Sequence, residues 1–181
     1  MKEKAKKIVY FSTCSIYDEE VRSRSYVIHK LAMENLIINH SIKYLILRVS
    51  NVVGSGGNKN TIINYFFNNI KQKAHFILWE FAERNILDIS DLVFVTDELL
   101  KNNIENKIID IANPINFKVL EIVHSIEIFS GFKAHYESLK KGHPLSINVS
   151  YITQLIPEYA SRFDTSLNYM NKLLVKYFSN E

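Results

Sequence analysis

Lys7-Ile8-Val9-Tyr10-Phe11-Ser12-Thr13-Cys14-Ser15-Ile16-Tyr17, followed by Tyr26-Val27-Ile28-His29-Lys30, decides how this chain reads. Residues 7–12 are β-branched and aromatic without strict alternation, as in a strand buried on both faces. The apolar run gives way to hydroxyls at Ser12 and Thr13. Residues 26–40 carry apolar side chains at Val27, Leu31, Met33, Leu36 and Ile37 with good helix formers between them, which predicts a helix. A second buried strand is expected over residues 44–49. Strand, helix and strand in that order make the parallel unit of an α/β fold.

Working outward, charged residues 18–24 read as a loop, and so does Gly54-Ser55-Gly56-Gly57-Asn58. Helices are expected over residues 61–71 and 91–101, the second capped by Ser90 with Asp91 in its first turn. Strands are expected over 75–79, 108–112 and 132–137, with an extended piece at 86–89. A helix over 119–129 ends at Gly131, and Asn113-Pro114 closes the strand before it. Beyond Gly142-His143-Pro144 the pattern turns irregular, and residues 157–163 and 166–178 read as final helices. Composition drifts near Asn113, which places an approximate boundary between residues 1–113 and a small lobe over 114–181.

The chain has 181 residues, 47% of them hydrophobic, enough to bury a sizeable core. Its net charge is only +3, and the lysines are scattered rather than striped with stacking aromatics, which argues against a nucleic-acid partner. The single cysteine excludes an internal disulfide framework. There is no signal-peptide core after the basic start and no apolar run of membrane-spanning length, so a cytoplasmic protein is expected. The six histidines lack metal-ligand spacing, and no metal site is expected. Cys14 reads as a small buried residue, Trp79 as core, and Asp88, Asp91 and Asp97 as capping or solvated acids. Leu167, Met170, Leu174 and Phe178 recur at helical spacing, which predicts a helix docked on the body.

Tyr26 and Lys30 stand four apart and so share one helix face. An ammonium near a phenol favours the phenolate, and a tyrosine tuned in this way moves a proton on a hydroxyl or carbonyl. Thr13, at a neighbouring strand end, is placed to hydrogen-bond the same oxygen. Alone the pair is an unspecific signal; between two buried strands it gains weight.

Residues 11–17 resemble the Ser-Ser/Thr-x-x-Val-Tyr-Gly segment of the extended short-chain dehydrogenase/reductase family, the nucleotide-sugar epimerase and dehydratase kind. Tyr26 and Lys30 match its Tyr-x-x-x-Lys. Leu47-Arg48-Val49-Ser50-Asn51-Val52-Val53-Gly54 is similar to its Leu-Arg-x-x-Asn-x-x-Gly, and residues 83–93 to its Thr-Arg-Asp-Phe-x-x-Val-x-Asp-Val-x segment. The resemblance implies a partial Rossmann-like, doubly wound parallel sheet, the C-terminal half of the family's, with a small substrate-binding lobe. It implies Thr13, Tyr26 and Lys30 as catalytic residues. NAD or NADP would be the cofactor, held by Ser12, Tyr26, Lys30 and Val49. A nucleotide sugar would be bound by Asn51, Thr61 and Arg84. Dimerisation through the helix of Tyr26 is usual in the family.

The departures are as informative. Family members begin with a glycine-rich turn that cradles the dinucleotide pyrophosphate. Here no glycine precedes Gly54, and residues 54–57 read as a loop near the substrate. The chain is therefore expected to be a fragment, the product of a broken reading frame, or a partner of a complementing N-terminal chain. Asp18 replaces the usual Gly after Tyr17, and no Arg stands near residues 140–144, where a second phosphate ligand is common. Cys14 and Ser15 occupy the place of the dehydratases' acidic pair, which favours an epimerase or reductase. The competing expectation is a non-catalytic fragment or subunit that binds a sugar nucleotide or a partner chain.

Overall fold

Leu45, Ile46 and Leu47 are each fully buried. Successive side chains of a strand point to opposite faces, so the strand that carries them is covered on both sides. The computed structural model describes residues 6–40, 42–56, 58–163 and 167–179. The central strand, β2 (Lys43–Val49), lies between β1 (Lys7–Thr13) and β7 (Lys107–Ile111), all parallel. The register sets Thr13 beside Val49 and Val49 beside Ile111, so three carboxyl ends finish level. The remaining strands form pairs. β3 (Asn51–Val53) runs parallel to β6 (Ile86–Asp88), and β4 (His75–Trp79) runs parallel to β9 (His135–Leu139). β5 (Glu83–Arg84) is antiparallel to β8 (Phe117–Lys118).

Helices α1 (Ser25–Ile38), α2 (Ile62–Lys71), α3 (Ile89–Lys101), α4 (Val119–Ser130), α5 (Ser150–Leu155) and α6 (Leu167–Phe178) complete the α/β fold. The alternation of strand and helix expected from the sequence is thus present. In α6 the apolar spacing works as expected: Met170, Leu174 and Phe178 are buried, and α6 packs on α4. Two tyrosines pin the C-terminal region to the sheet. Tyr159 hydroxyl exchanges hydrogen bonds with the backbone of Ala112, and Tyr169 hydroxyl accepts from Asp88 N at 2.9 Å. Gly131 ends α4 with φ of 73°, the left-handed conformation expected of a C′ glycine.

Several expectations are corrected. β1 is not buried on both faces; residues 7–10 are half-buried and Phe11 is 44% exposed, because among the described residues β1 pairs with β2 alone. The cap of α3 is Asp88, not Ser90: its carboxylate accepts from Ser90 N at 2.8 Å, and the helix starts at Ile89. Residues 157–163 form only a 3-10 turn at Ala160–Arg162, while the helix in that region is α5, which the irregular pattern concealed. β9 begins at His135, after Phe132 and Ala134 have passed without pairing. Gly57 and Ser166, each at an expected loop or helix, lie outside the described residues.

Candidate active site

The level ends of β1 and β2 open onto a cleft of about 1070 Å³. In parallel sheets ligands bind at the carboxyl ends of strands, where loops and helix starts converge. Ser12, Thr13, Tyr26, Lys30, Val49, Asn51, Thr61 and Arg84 all line this cleft. Its charged lining residues are Arg24, Lys30, Arg84 and Asp18, three cations against one anion.

The chemistry expected of the first wall rests on α1. Tyr26 is 56% exposed at the start of that helix, facing open cleft. Lys30, one turn on, donates from Nζ to Phe11 O at 2.7 Å and lies 5.7 Å from the Tyr26 ring centroid. The ammonium therefore ties the helix to β1 and stands over the Tyr26 ring. Thr13 is buried. Its hydroxyl accepts from Ser15 N at 3.1 Å and donates to Ser15 Oγ at 3.0 Å. Ser15, which stands where the dehydratases carry one of their acids, also lines the cleft.

Below this wall lies a buried polar network. Glu34, 2% exposed, continues the Tyr26–Lys30 face one further turn along α1. It receives the Ser12 hydroxyl and two nitrogens of Arg48, Nε at 3.0 Å and Nη2 at 2.7 Å. Ser12 thus lines the cleft with its hydroxyl turned to Glu34. Arg48 Nη1 donates to Tyr17 Oη at 3.1 Å, and Tyr17 donates onward to the Asp110 carboxylate at 2.8 Å. Burial and the Asp110 carboxylate push the Tyr17 phenol up to about 12. Burial would lower the Arg48 guanidinium, but Glu34 and Tyr17 outweigh it and hold the charge firmly. Burial also raises the Cys14 thiol, whose Sγ donates to Arg48 O at 3.1 Å. The repeat 26, 30, 34 was the signal that could have revealed Glu34.

The opposite wall carries the polar and cationic groups expected for a ligand. Asn51 Nδ2 donates to Asn85 O at 2.9 Å, which fixes its amide at the end of β3. Thr61 stands at the N-cap position of α2, with its Oγ1 donating back to Asn58 O at 3.0 Å rather than capping the helix. Arg84 on β5 donates from Nη1 to Glu83 O at 2.7 Å, with Asp18 Oδ2 at 3.7 Å. Among the described residues no cluster of three or more His, Cys, Asp or Glu is placed to hold a metal, and no helix is long and apolar enough to cross a membrane.

The sequence model of the NAD dependent epimerase/dehydratase family matches residues 1–112. No curated protein matches the chain. Among solved structures, the Bordetella bronchiseptica enzyme WbmG in complex with NAD and UDP is similar over 95% of this chain and 61% of its own, at 16% identity and a TM-score of 0.74. UDP-glucuronic acid 4-epimerase from Bacillus cereus, in complex with UDP-glucuronic acid and NAD, is similar over 95% of this chain and 63% of its own, at 22% identity and a TM-score of 0.71. UDP-glucose 4-epimerase from Thermus thermophilus, in complex with NAD, is similar over 97% of this chain and 65% of its own, at 15% identity and a TM-score of 0.70. At these identities the likeness is one of fold, and the chain spans less than two thirds of each of these relatives' length.

Proposed function

The chain belongs to the NAD dependent epimerase/dehydratase family, and from that premise we propose that it serves NAD(P)-dependent modification of a nucleotide-activated sugar, epimerisation or reduction rather than dehydration. The observation that carries the reading is convergence: eight residues expected from the sequence line one cationic cleft at the strand ends. Residues 1–113 would form the cofactor side and 114–181 the small substrate lobe.

Tyr26 is the acid/base. Its phenol is open to the cleft, within reach of a substrate hydroxyl, and the Lys30 ammonium lies 5.7 Å from its ring centroid on the same face of α1. Thr13, with Ser15 on its hydroxyl, orients the sugar oxygen that exchanges this proton. Asn51, Thr61 and Arg84 hold the nucleotide, with Arg84's planar fork suited to phosphate oxygens. Bound NAD or NADP would supply the hydride chemistry at the adjacent sugar carbon. This chain's residues fit the nicotinamide-ribose end of such a cofactor: Val49 is a buried apolar wall, and Lys30 spends one of three ammonium donors on Phe11 O. No glycine stands before Gly54, so residues 1–53 offer no glycine turn for the pyrophosphate.

A second reading has its own support. Among the described residues β1 pairs with β2 alone, and a groove of about 490 Å³ lined by Phe11, Ile89, Leu92, Val93, Thr96, Asp97 and Leu100 adjoins it. Such an edge suits a complementing chain that adds a strand. On this reading the chain works as a subunit.

Calorimetric titration with NAD+ and NADP+ separates the two readings, since saturable binding requires a cofactor site in this chain alone. In an active preparation Tyr26→Phe should lower turnover by about a hundredfold or more with the fold intact. Unchanged turnover would overturn the catalytic assignment.

A further inference from the structure

The one acid in the cleft lining is Asp18, and it is 7% exposed. Its loop holds it in place. Oδ1 accepts from Glu20 N at 3.0 Å, and its backbone carbonyl accepts from Val21 N at 3.1 Å and Arg22 N at 2.9 Å. The bond from Glu20 N holds the carboxylate towards its own loop. Two cationic or ionisable groups from distant segments lean on it. Arg84 Nη1 of β5 stands 3.7 Å from Oδ2, and His143 Nε2, in the segment after β9, stands 3.7 Å from Oδ1. The other ring nitrogen of His143 is 3.8 Å from Glu20 Oε1.

A separation of 3.7 Å is an ion pair without a hydrogen bond. Charge-assisted N–H···O bonds run at about 2.7–2.9 Å and are stronger than a loose pair. A phosphate oxygen at Arg84 thus makes a better bond than Asp18 makes now. Arg84 can bond it while Nη1 keeps its bond to Glu83 O, and Asp18, bonded to its own loop, stays behind as a negative charge next to the ligand's.

We propose that Asp18 is a specificity-determining residue of the cleft: it is the built-in counter-ion of Arg84 that a ligand's phosphates displace, and it penalises the ligand in proportion to the negative charge brought there. The inference rests on the proposed role of Arg84 as a phosphate ligand. The substrate class it favours is a sugar nucleotide carrying no further acid near Arg84, with a hydroxyl or amine facing Asp18 instead.

The test is calorimetric titration of UDP and of uridine into the wild-type chain, Asp18→Asn and Arg84→Gln, at low ionic strength so that the charges are unscreened. Asn is isosteric and still accepts from Glu20 N, and Asp18→Gly serves as a second variant should the first fold poorly. The expected result is UDP bound about tenfold tighter by the Asp18 variants, uridine unchanged, and UDP weakened by Arg84→Gln. UDP affinity unchanged or weakened at Asp18, with Arg84→Gln still weakening it, overturns the role of Asp18 and leaves that of Arg84 standing. An equal gain for uridine makes the effect one of packing and also overturns it. UDP affinity indifferent to Arg84→Gln, or no UDP binding to any folded variant, removes the premise and the inference together.

Discussion

The Glu34 carboxylate on α1 meets the Arg48 guanidinium on β2 at 2.7 Å, and the same carboxylate receives the Ser12 hydroxyl from β1. One buried acid thereby joins the helix of Tyr26 and Lys30 to the two strands whose ends form the cleft floor. Taking an ion out of water costs several kcal/mol, and the pair survives because every oxygen of Glu34 is bonded. Removing one partner leaves an uncompensated buried charge. Glu34→Ala should lower the unfolding free energy by about 3 kcal/mol, the low end of the range, since Arg48 keeps some contact with water. Urea denaturation measures it, and a loss below about 1 kcal/mol would show that the pair carries no such burden.

Cys14 sits at the end of β1 with 3% exposure, and burial raises its thiol well above the ordinary value. The thiolate is the nucleophile, so this cysteine is inert despite lying next to Thr13 in the cleft lining. The native chain at pH 8 should resist iodoacetamide and become labelled in step with unfolding by urea. Rapid labelling of folded protein, read by intact mass, would mean that the strand end opens.

What the sequence showed and what it concealed divide along physical lines. The run 45–47 declared a doubly covered strand because each residue is apolar, and α6 declared its buried face through Met170, Leu174 and Phe178. Tyr26 and Lys30 were legible because one helix carries both at a known spacing. Asp18 with Arg84 and His143 was not, since no local pattern brings residues from three separate segments together. Asp88 and Ser90 are both good capping residues two positions apart, and the bond from Ser90 N to the Asp88 carboxylate shows that Asp88 caps α3. β5 and β8 pair over two residues each, too few for any periodicity to register. The half-exposed β1 has the composition of a buried strand, which its pairing with β2 alone does not bury.

Gly142 adopts φ of 89°, and a Cβ there would lie 2.5 Å from Ala82 N. The obstruction is backbone, which cannot rotate aside as a side chain would. Lys141, its neighbour, accepts from Phe81 N at 2.9 Å, so the two segments are held together at that point. Gly142→Ala should destabilise the fold by at least about 1–3 kcal/mol from backbone strain alone. It should also shift the 140–145 segment, bringing His143 off Asp18. Thermal melting reads the first effect, and the His143 ring resonances read the second. A variant that melts with the wild type would show that the segment yields.

Asp88, the cap of α3, and Asp91, in its first turn, titrate in opposite directions. Burial pushes the Asp88 carboxyl up, but hydrogen bonds from Lys176, Tyr177 and Ser90 outweigh it and hold it below its ordinary 3.8. Lys176 Nζ reaches it at 2.7 Å and Tyr177 Oη at 2.6 Å, so the charge of Asp88 anchors α6. For Asp91 burial wins over the Arg162 contact at 2.8 Å, and its carboxyl lies above the ordinary value. The signs follow from proton linkage. Asp88 stabilises the fold fully above its unfolded value of 3.8, and that contribution is lost as pH falls through the lower folded value. Asp91 does the reverse: its ionisation opposes folding at neutral pH, and the opposition fades as pH falls through its raised value. Asp88→Asn should therefore destabilise the chain at pH 7 by roughly 2 kcal/mol, the size of a lost bond to a charged group. The deficit should shrink towards pH 3. Asp91→Asn should cost less at pH 7, and its difference from wild type should move the other way on acidification. Melting curves of the two variants between pH 7 and pH 3 decide it; a deficit for Asp88→Asn that stays constant across that range would mean that its charge does not hold α6.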